Sequence, residues 1–276
     1  MGKTAWINDV TTDGLTRLCL VTAVEIEFKT ASGLLIESSF EDEAQMRVCR
    51  GRFGDRQVTV LKSEMGAFGF AERLAAHLAD NQYDALIVAG LAGALDPKLK
   101  TGDAIVFNLC YNERTNAVGS ISREKQLSRE ENASIACDPN LSRFITETLQ
   151  ASGLSCIRGA GVTVDHIVNR ARDKISLGIR FNALAVDMET YDILAVCAGS
   201  GLTAAALRVV LDEADSDLPD FNRALKPDGQ MSKWQIASAM MISPFVSMRF
   251  LFSLRRVVES LHVNLKAILN AKDGFR

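Results

Sequence analysis

Carboxylates recur in this chain at places where catalysis could use them. Residues 17–24 (RLCLVTAV) are nearly continuous in apolar character, and Glu25-Ile26-Glu27 follows at once. Sites in open α/β sheets form at the carboxyl ends of strands, so an acid there could act as a general base on water. The same acids equally suit the first turn of a helix, where negative charge meets the positive end of the macrodipole. Gly90-Leu91-Ala92-Gly93 follows a second apolar run, 85–89 (ALIVA). Such a glycine pair either brings backbone amides close to a ligand or makes a tight turn. Asp187-Met188-Glu189 stands between a strand and a helix. Two acids flanking a methionine could grip vicinal sugar hydroxyls, because a carboxylate accepts several hydrogen bonds, or could simply favour a helix start. Asp212 closes the apolar run 203–211, which contains Arg208. A carboxyl group in an apolar mouth has a raised pKa and suits a general acid; the plainer alternative is a helix or turn cap.

The elements that would position these groups are legible as alternating periodicities. Apolar runs at 17–24, 58–62, 85–89, 104–110, 155–163, 183–187 and 203–211 predict strands. Helical spacing covers Phe70 to Leu78, a segment opened by Asp138-Pro139 and running to about Ser152, and about 189–199, closed by Gly199 and Gly201. An Asp cap with Pro in the first turn is a helix-start signal. Strands alternating with helices imply an α/β layered fold with a largely parallel sheet. The polar stretch 111–132 reads as a surface excursion and 213–230 as a loop. Two helices follow, separated by Pro244. In the second, Phe250, Leu251, Leu254, Val258, Leu261, Leu265 and Ile268 recur at three- and four-residue spacing, which marks one apolar face.

Composition narrows the function classes. The 276 residues are 47% hydrophobic and 24% charged, enough to bury a large core and close to the globular average. A net charge of −3 gives no electrostatic reason to expect nucleic acid. The last 46 residues, from Met231, hold seven basic side chains against Glu259 and Asp273. Cys19, Cys49, Cys110, Cys137, Cys156 and Cys197 are scattered without a CxxC pair, as in a reducing compartment. The polar N-terminus lacks a signal-peptide pattern, and no run of about 18 apolar residues predicts a membrane span. A cytoplasmic protein is expected. His77, His166 and His262 are too dispersed to suggest a metal site.

Five segments in order, TAVEIEF (22–28), KSEMGAFGFAERLA (62–75), VAGLAGALDPKLKTGDAIV (88–106), AVDMETYDILAVCAGSGL (185–202) and LRVVLDEAD (207–215), resemble the nucleoside phosphorylase and methylthioadenosine/adenosylhomocysteine nucleosidase superfamily. The resemblance spans roughly residues 17–215. It implies a three-layer α/β/α phosphorylase/hydrolase-like fold with a mixed, largely parallel sheet. It also implies one domain over 1–276: an N-terminal extension (1–16), a catalytic core (17–215), and a loop with a C-terminal helical extension (216–276). The VDME form, DEADSDLP (212–219), PDGQMSKW (227–234) and SPFVSMRFLF (243–252) are similar to the hopanoid-associated phosphorylase branch. That similarity implies a lipid-linked nucleoside, adenosylhopane, as substrate.

The implied activity is cleavage of the N-glycosidic bond of a purine (adenine) nucleoside, with no cofactor. Glu27 matches the acid that positions or deprotonates water. Glu189 matches the acid that binds ribose hydroxyls, with Met188 packing on the sugar. Asp212 matches the acid that protonates N7, and Arg208 the arginine preceding it. Ile167 and Val168 fall where backbone meets the base. Gly90 to Gly93, Met188, Arg208 and Asp187 complete the expected substrate-binding set. Two departures stand out. Leu91 replaces a small polar residue of the nucleosidases, and the first loop, Thr22 to Lys29, lacks the arginine of phosphate-using members. Hydrolysis is thereby favoured. Phosphate stays open as a co-substrate because Arg47, Arg50, Arg52 and Arg56 could bind it from elsewhere.

The basic, apolar tail has two readings, contact with the inner-membrane surface or packing against the domain or a second subunit. The family implies a homo-oligomer. Alternatives to a bulky apolar 5′ substituent are methylthioadenosine, adenosylhomocysteine or adenosine, phosphate-dependent purine nucleoside cleavage, or a non-catalytic nucleoside-binding protein.

Overall fold

The computed structural model describes residues 14–43, 46–67, 69–113, 133–219, 222 and 244–271. The chain forms β1 (Arg17–Thr22), α1 (Glu25–Ser32), β2 (Ile36–Glu43), β3 (Met46–Phe53), β4 (Arg56–Lys62) and α2 (Phe70–Asp80). It continues through β5 (Ala85–Ala94), β6 (Ala104–Asn112), β7 (Ser134–Ala136), α3 (Pro139–Ala151) and β8 (Cys156–Thr163). Then come α4 (Ala171–Phe181), β9 (Ala185–Asp187), α5 (Thr190–Ser200), β10 (Ala204–Asp212) and α6 (Pro244–Asn270).

The sheet is mixed and flanked by helices, the architecture expected. Its centre is a parallel run, β4–β1–β5–β10. The middles of these strands are mostly apolar because they are covered on both faces; eight of the nine residues of β10 are buried. From β5 the sheet also closes on itself. β10 pairs with β6, β6 with β8, β8 with β9, and β9 returns to β5. On the other side β4 extends through the antiparallel β3 and β2. One group of helices packs α2 on α5, and another packs α6 on α1 and α3.

Local signals explain several boundaries. Asp138 caps α3 by accepting from the Leu141 amide at 2.8 Å, with Pro139 in the first turn. Gly201 ends α5 at φ 68°, a conformation that favours glycine. The Gly90-Gly93 segment is not a turn: β5 runs on to Ala94, and Gly90 to Gly93 pair with Arg208 to Asp212 of β10, with a register shift between Val210 and Asp212. The predicted seam of α6 packs inward, with Leu261, Leu265 and Ile268 fully buried beside Val257. Arg56 donates to the Ile268 and Ala271 carbonyls at its end. The apolar face is therefore covered by the domain, while Leu251 and Phe252, nearer the start of the helix, are exposed. No helix among the described residues is long and apolar enough to cross a membrane. The excursion 114–132 and most of the loop 213–230 lie outside the described residues.

Candidate active site

The carboxyl ends of β1, β5, β9 and β10 meet around one cavity of about 360 Å³. Its walls include Glu27, Leu91, Ala92, Gly93, Ile167, Val168, Asp187, Met188, Glu189 and Asp212, so nearly every expected site residue is brought together. Ile26, Met65, Leu211, Leu218 and Leu254 complete an apolar lining. Arg208 and Gly90 lie directly behind it.

Glu27 stands in the first turn of α1 with only 3% of its surface exposed. Its Oε2 accepts from the amides of Ala23 (2.7 Å) and Val24 (3.0 Å), and its Oε1 from the Leu91 amide (2.8 Å). Glu27 thus satisfies the helix N-terminus while lining the cavity, with acceptor capacity left on Oε1. Burial pushes its pKa above the ordinary carboxylate value, against the opposing pull of Arg208 and the three amides. The glycine before Leu91 is required for this contact. A Cβ on Gly90 would fall 2.6 Å from Arg208 Nη1 and 2.7 Å from Glu27 Oε1.

Arg208 points from β10 into the interior and is 1% exposed. It pairs with Asp187 at 2.9 Å and Glu189 at 3.5 Å, and donates to Thr190 Oγ1 from Nη2 at 2.7 Å and from Nε at 3.1 Å. Asp187 is spent inside this network. Its Oδ1 accepts from Thr163 Oγ1 at 2.7 Å and from the Thr190 amide at 3.2 Å, and its Oδ2 accepts from the Thr190 hydroxyl. Of the two acids flanking Met188, Glu189 is the one left for a ligand. Its Oε1 accepts from the Gly66 amide at 2.9 Å. Burial pushes Glu189 up to about 7, with Arg208 opposing and Asp187 and Glu27 reinforcing the rise.

Asp212 ends β10, 8% exposed. Its Oδ2 is ion-paired with Lys174 of α4, whose side chain is wholly buried. Its Oδ1 carries no hydrogen bond to a described residue. Burial raises Asp212 and Lys174 pulls it down, with the net direction upward.

Sequence reasoning missed Lys174, Thr163 and Thr190. Thr163 ends a predicted strand, so the rule that singled out Asp212 could have found it. Lys174 lies in a charged stretch, Arg172-Asp173-Lys174, and nothing in the spacing distinguishes it from a solvated lysine. Ile167 is less open than expected, because the Asn222 side chain donates to its carbonyl and accepts from its amide, both at 2.8 Å. The candidate phosphate-binding arginines do not reach the cavity. Arg47 pairs with Glu25 at 2.8 Å, Arg50 with Glu41 and Glu43, and Arg56 with the end of α6. No arginine or lysine is among the described lining residues. Among the described residues, no group of three or more His, Cys, Asp or Glu is placed to hold a metal ion.

The phosphorylase superfamily profile matches residues 17–247. The 5′-methylthioadenosine/S-adenosylhomocysteine nucleosidase of Baumannia cicadellinicola is 24% identical over 198 residues, covering 71% of this chain and 86% of that protein. Among solved structures, the Helicobacter pylori 5′-methylthioadenosine/S-adenosylhomocysteine nucleosidase with butyl-thio-DADMe-Immucillin-A superposes at a TM-score of 0.67 and 16% identity, covering 91% of this chain and 98% of that one. A futalosine hydrolase mutant of H. pylori superposes at 0.69 and 15%, covering 93% and 99%. These relatives overturn the expected placement in the hopanoid-associated phosphorylase branch, and with it the argument for adenosylhopane. That placement rested on the VDME form, on DEADSDLP (212–219) and mostly on the tail. Residues 227–243 lie outside the described residues, the later half of α6 packs on the domain, and Asp187 is turned to Arg208.

Proposed function

The chain belongs to the phosphorylase superfamily, and from that premise we propose that it hydrolyses the N-glycosidic bond of a purine nucleoside carrying a small apolar 5′ substituent, of the 5′-methylthioadenosine kind. The observation that carries the reading is the convergence of three buried carboxylates, Glu27, Glu189 and Asp212, on one apolar cavity. Cleavage of this bond develops positive charge on the sugar and negative charge on the departing base. Enzymes accelerate it by binding those charges where they form. Glu27 accepts a proton from water through Oε1 as the water oxygen bonds to C1′. Glu189 holds the ribose hydroxyls beside Met188. Asp212, its pKa raised by burial, donates a proton to N7 as the bond electrons pass to the base.

Water rather than phosphate is favoured by the lining. A phosphate nucleophile carries a charge that an arginine or lysine commonly meets, and the described walls hold neither. The apolar side chains Leu211, Leu218 and Leu254 suit an alkylthio group. The test is adenine release from 5′-methylthioadenosine with and without phosphate. Equal release in both is expected. Release confined to the phosphate sample would make the enzyme a phosphorylase, and no release in either would remove this substrate class.

A further inference from the structure

Lys174 is a fully buried cation to which the mechanism above gives no role. Lysine is almost never fully buried unless paired, and here all three ammonium protons are engaged. Nζ is ion-paired with Asp212 and donates to the carbonyls of Glu213 at 3.1 Å and Ser216 at 2.8 Å. Lys174 therefore ties α4 to three points on the segment leaving β10. It does not line the cavity, so any effect on a bound nucleoside passes through Asp212.

The surrounding charges look elsewhere. Asp187 and Glu189 turn to Arg208, and Glu27 to its three amides. Glu213 pairs with Lys100 at 2.9 Å. On the β5 side Asp212 meets Gly93, which brings no charge. Among the described residues, Lys174 is thus the charged side chain that opposes the effect of burial on Asp212. Leu91 adds no hydroxyl on the other side.

We propose that Lys174 is a positioning residue: it fixes Oδ2 of Asp212 so that Oδ1 faces the base, and its charge sets the upper pH limit at which Asp212 still carries the proton it donates. The proposal rests on the reading of Asp212 as the acid. Lys174 itself gives up no proton. The proton on Asp212 goes to N7, the glycosidic electron pair to the base, and the water's proton to Glu27. The carboxylate left on Asp212 is then held by Lys174 until it is reprotonated from solvent.

The experiment is the pH profile of kcat/KM for 5′-methylthioadenosine in the wild type, Lys174→Met, Lys174→Arg and Asp212→Asn. An acid that must be protonated gives an alkaline limb at its own pKa. A nearby opposite charge lowers a carboxyl pKa by roughly 1–3 units. Lys174→Met is expected to lower the plateau and move the alkaline limb up by roughly 1–3 pH units, while Lys174→Arg keeps the limb near its wild-type position. A plateau lowered equally at every pH, with the limb unmoved, would mean that Lys174 only holds the fold and would overturn the proposal. If Lys174→Met does not fold, Lys174→Gln carries the same expectation, since its amide still donates to the two carbonyls without a charge. An inactive Asp212→Asn with an unmoved limb in Lys174→Met sinks this proposal alone. A fully active Asp212→Asn sinks the acid assignment and the proposal with it.

Discussion

Gly90→Ala tests the site without touching a chemical group. The added methyl would lie 2.6 Å from Arg208 Nη1, 2.7 Å from Glu27 Oε1 and 2.8 Å from Glu27 Cδ. Neither neighbour yields easily. Glu27 is held by three backbone amides, and Arg208 by Asp187, Glu189 and Thr190. Inserting a methylene-sized group into a packed interior costs about 1–3 kcal/mol, so a fall of a few degrees in Tm is expected with the fold retained. The functional effect is larger. A displacement of about 1 Å at a reacting group costs about 100-fold in rate, and relief of this clash requires a comparable movement of the Glu27 carboxylate. The assay is kcat/KM for adenine release alongside thermal melting. Gly199→Ala is the control: nothing lies within 4 Å of its Cβ position on α5, and a tolerated Gly→Ala change stabilises by about 0.4–1 kcal/mol. Undiminished kcat/KM in Gly90→Ala would refute the claim that Glu27 and Arg208 must sit where they are.

Glu27→Gln removes the base but can keep an oxygen for the amides, so kcat should fall about 10²–10⁴-fold with Tm nearly unchanged; equal losses in kcat and Tm would point to a helix-capping role only. Leu254→Asp places a carboxylate in the apolar wall and should raise KM for 5′-methylthioadenosine more than for adenosine; equal changes for both would remove Leu254 from the 5′ subsite. Glu189 sits near 7 against an ordinary 4.5, so between those values the folded chain binds more protons than the unfolded chain. Its contribution to stability is therefore lost as pH rises through that window. His77, held below 6.5 by burial, works the other way, so the comparison is between proteins: Glu189→Gln should gain Tm relative to wild type between pH 5 and about 8. A constant difference across that range would mean that Glu189 is ionised throughout.

Much of this fold was legible because its central strands are apolar along most of their length. β1, β5, β6 and β10 each appear in the sequence as a run that only two-sided cover explains. The edge was not legible for the opposite reason. β2 has seven exposed residues of eight, and β3 carries Arg47, Arg50 and Arg52, so neither shows an apolar run or clean alternation. α4 escaped because Lys174 stands in its buried face beside Phe181, where periodicity looks for an apolar residue. The glycine pair left a turn open as one of two readings because small residues serve more than one purpose. Here Gly90 and Gly93 leave room within a continuing strand for Glu27, Arg208 and Asp212. The acids themselves were readable from their place after apolar strands. Their ion pairs were not, since Arg208, though singled out, and Lys174, which was not, become neighbours of those acids only when β10 and α4 close over the cavity.

The charge balance of the site follows from that closure. Behind Met188, Arg208 faces Asp187, Glu189 and Glu27, three carboxylates against one guanidinium. Asp187 takes the short contact at 2.9 Å and Glu189 the longer one at 3.5 Å, and Arg208 cannot neutralise all three. The consequence is visible in the raised pKa values of Glu27 and Glu189: both are buried with less positive charge than their ionised forms require. A cationic sugar between them would supply what is missing. The neutral ground-state nucleoside offers no such charge, so the gain appears only as the glycosidic bond breaks, which is the condition for an interaction to speed the chemical step rather than merely bind substrate. On the base side the sign is reversed. Asp212 is paired separately with Lys174, away from Arg208, so on the proposed reading the proton for N7 would be held apart from Glu27 and Glu189. Two buried cations, Arg208 and Lys174, each face their own set of acids, which is the separation that the proposed acid and base would need within one small apolar cavity.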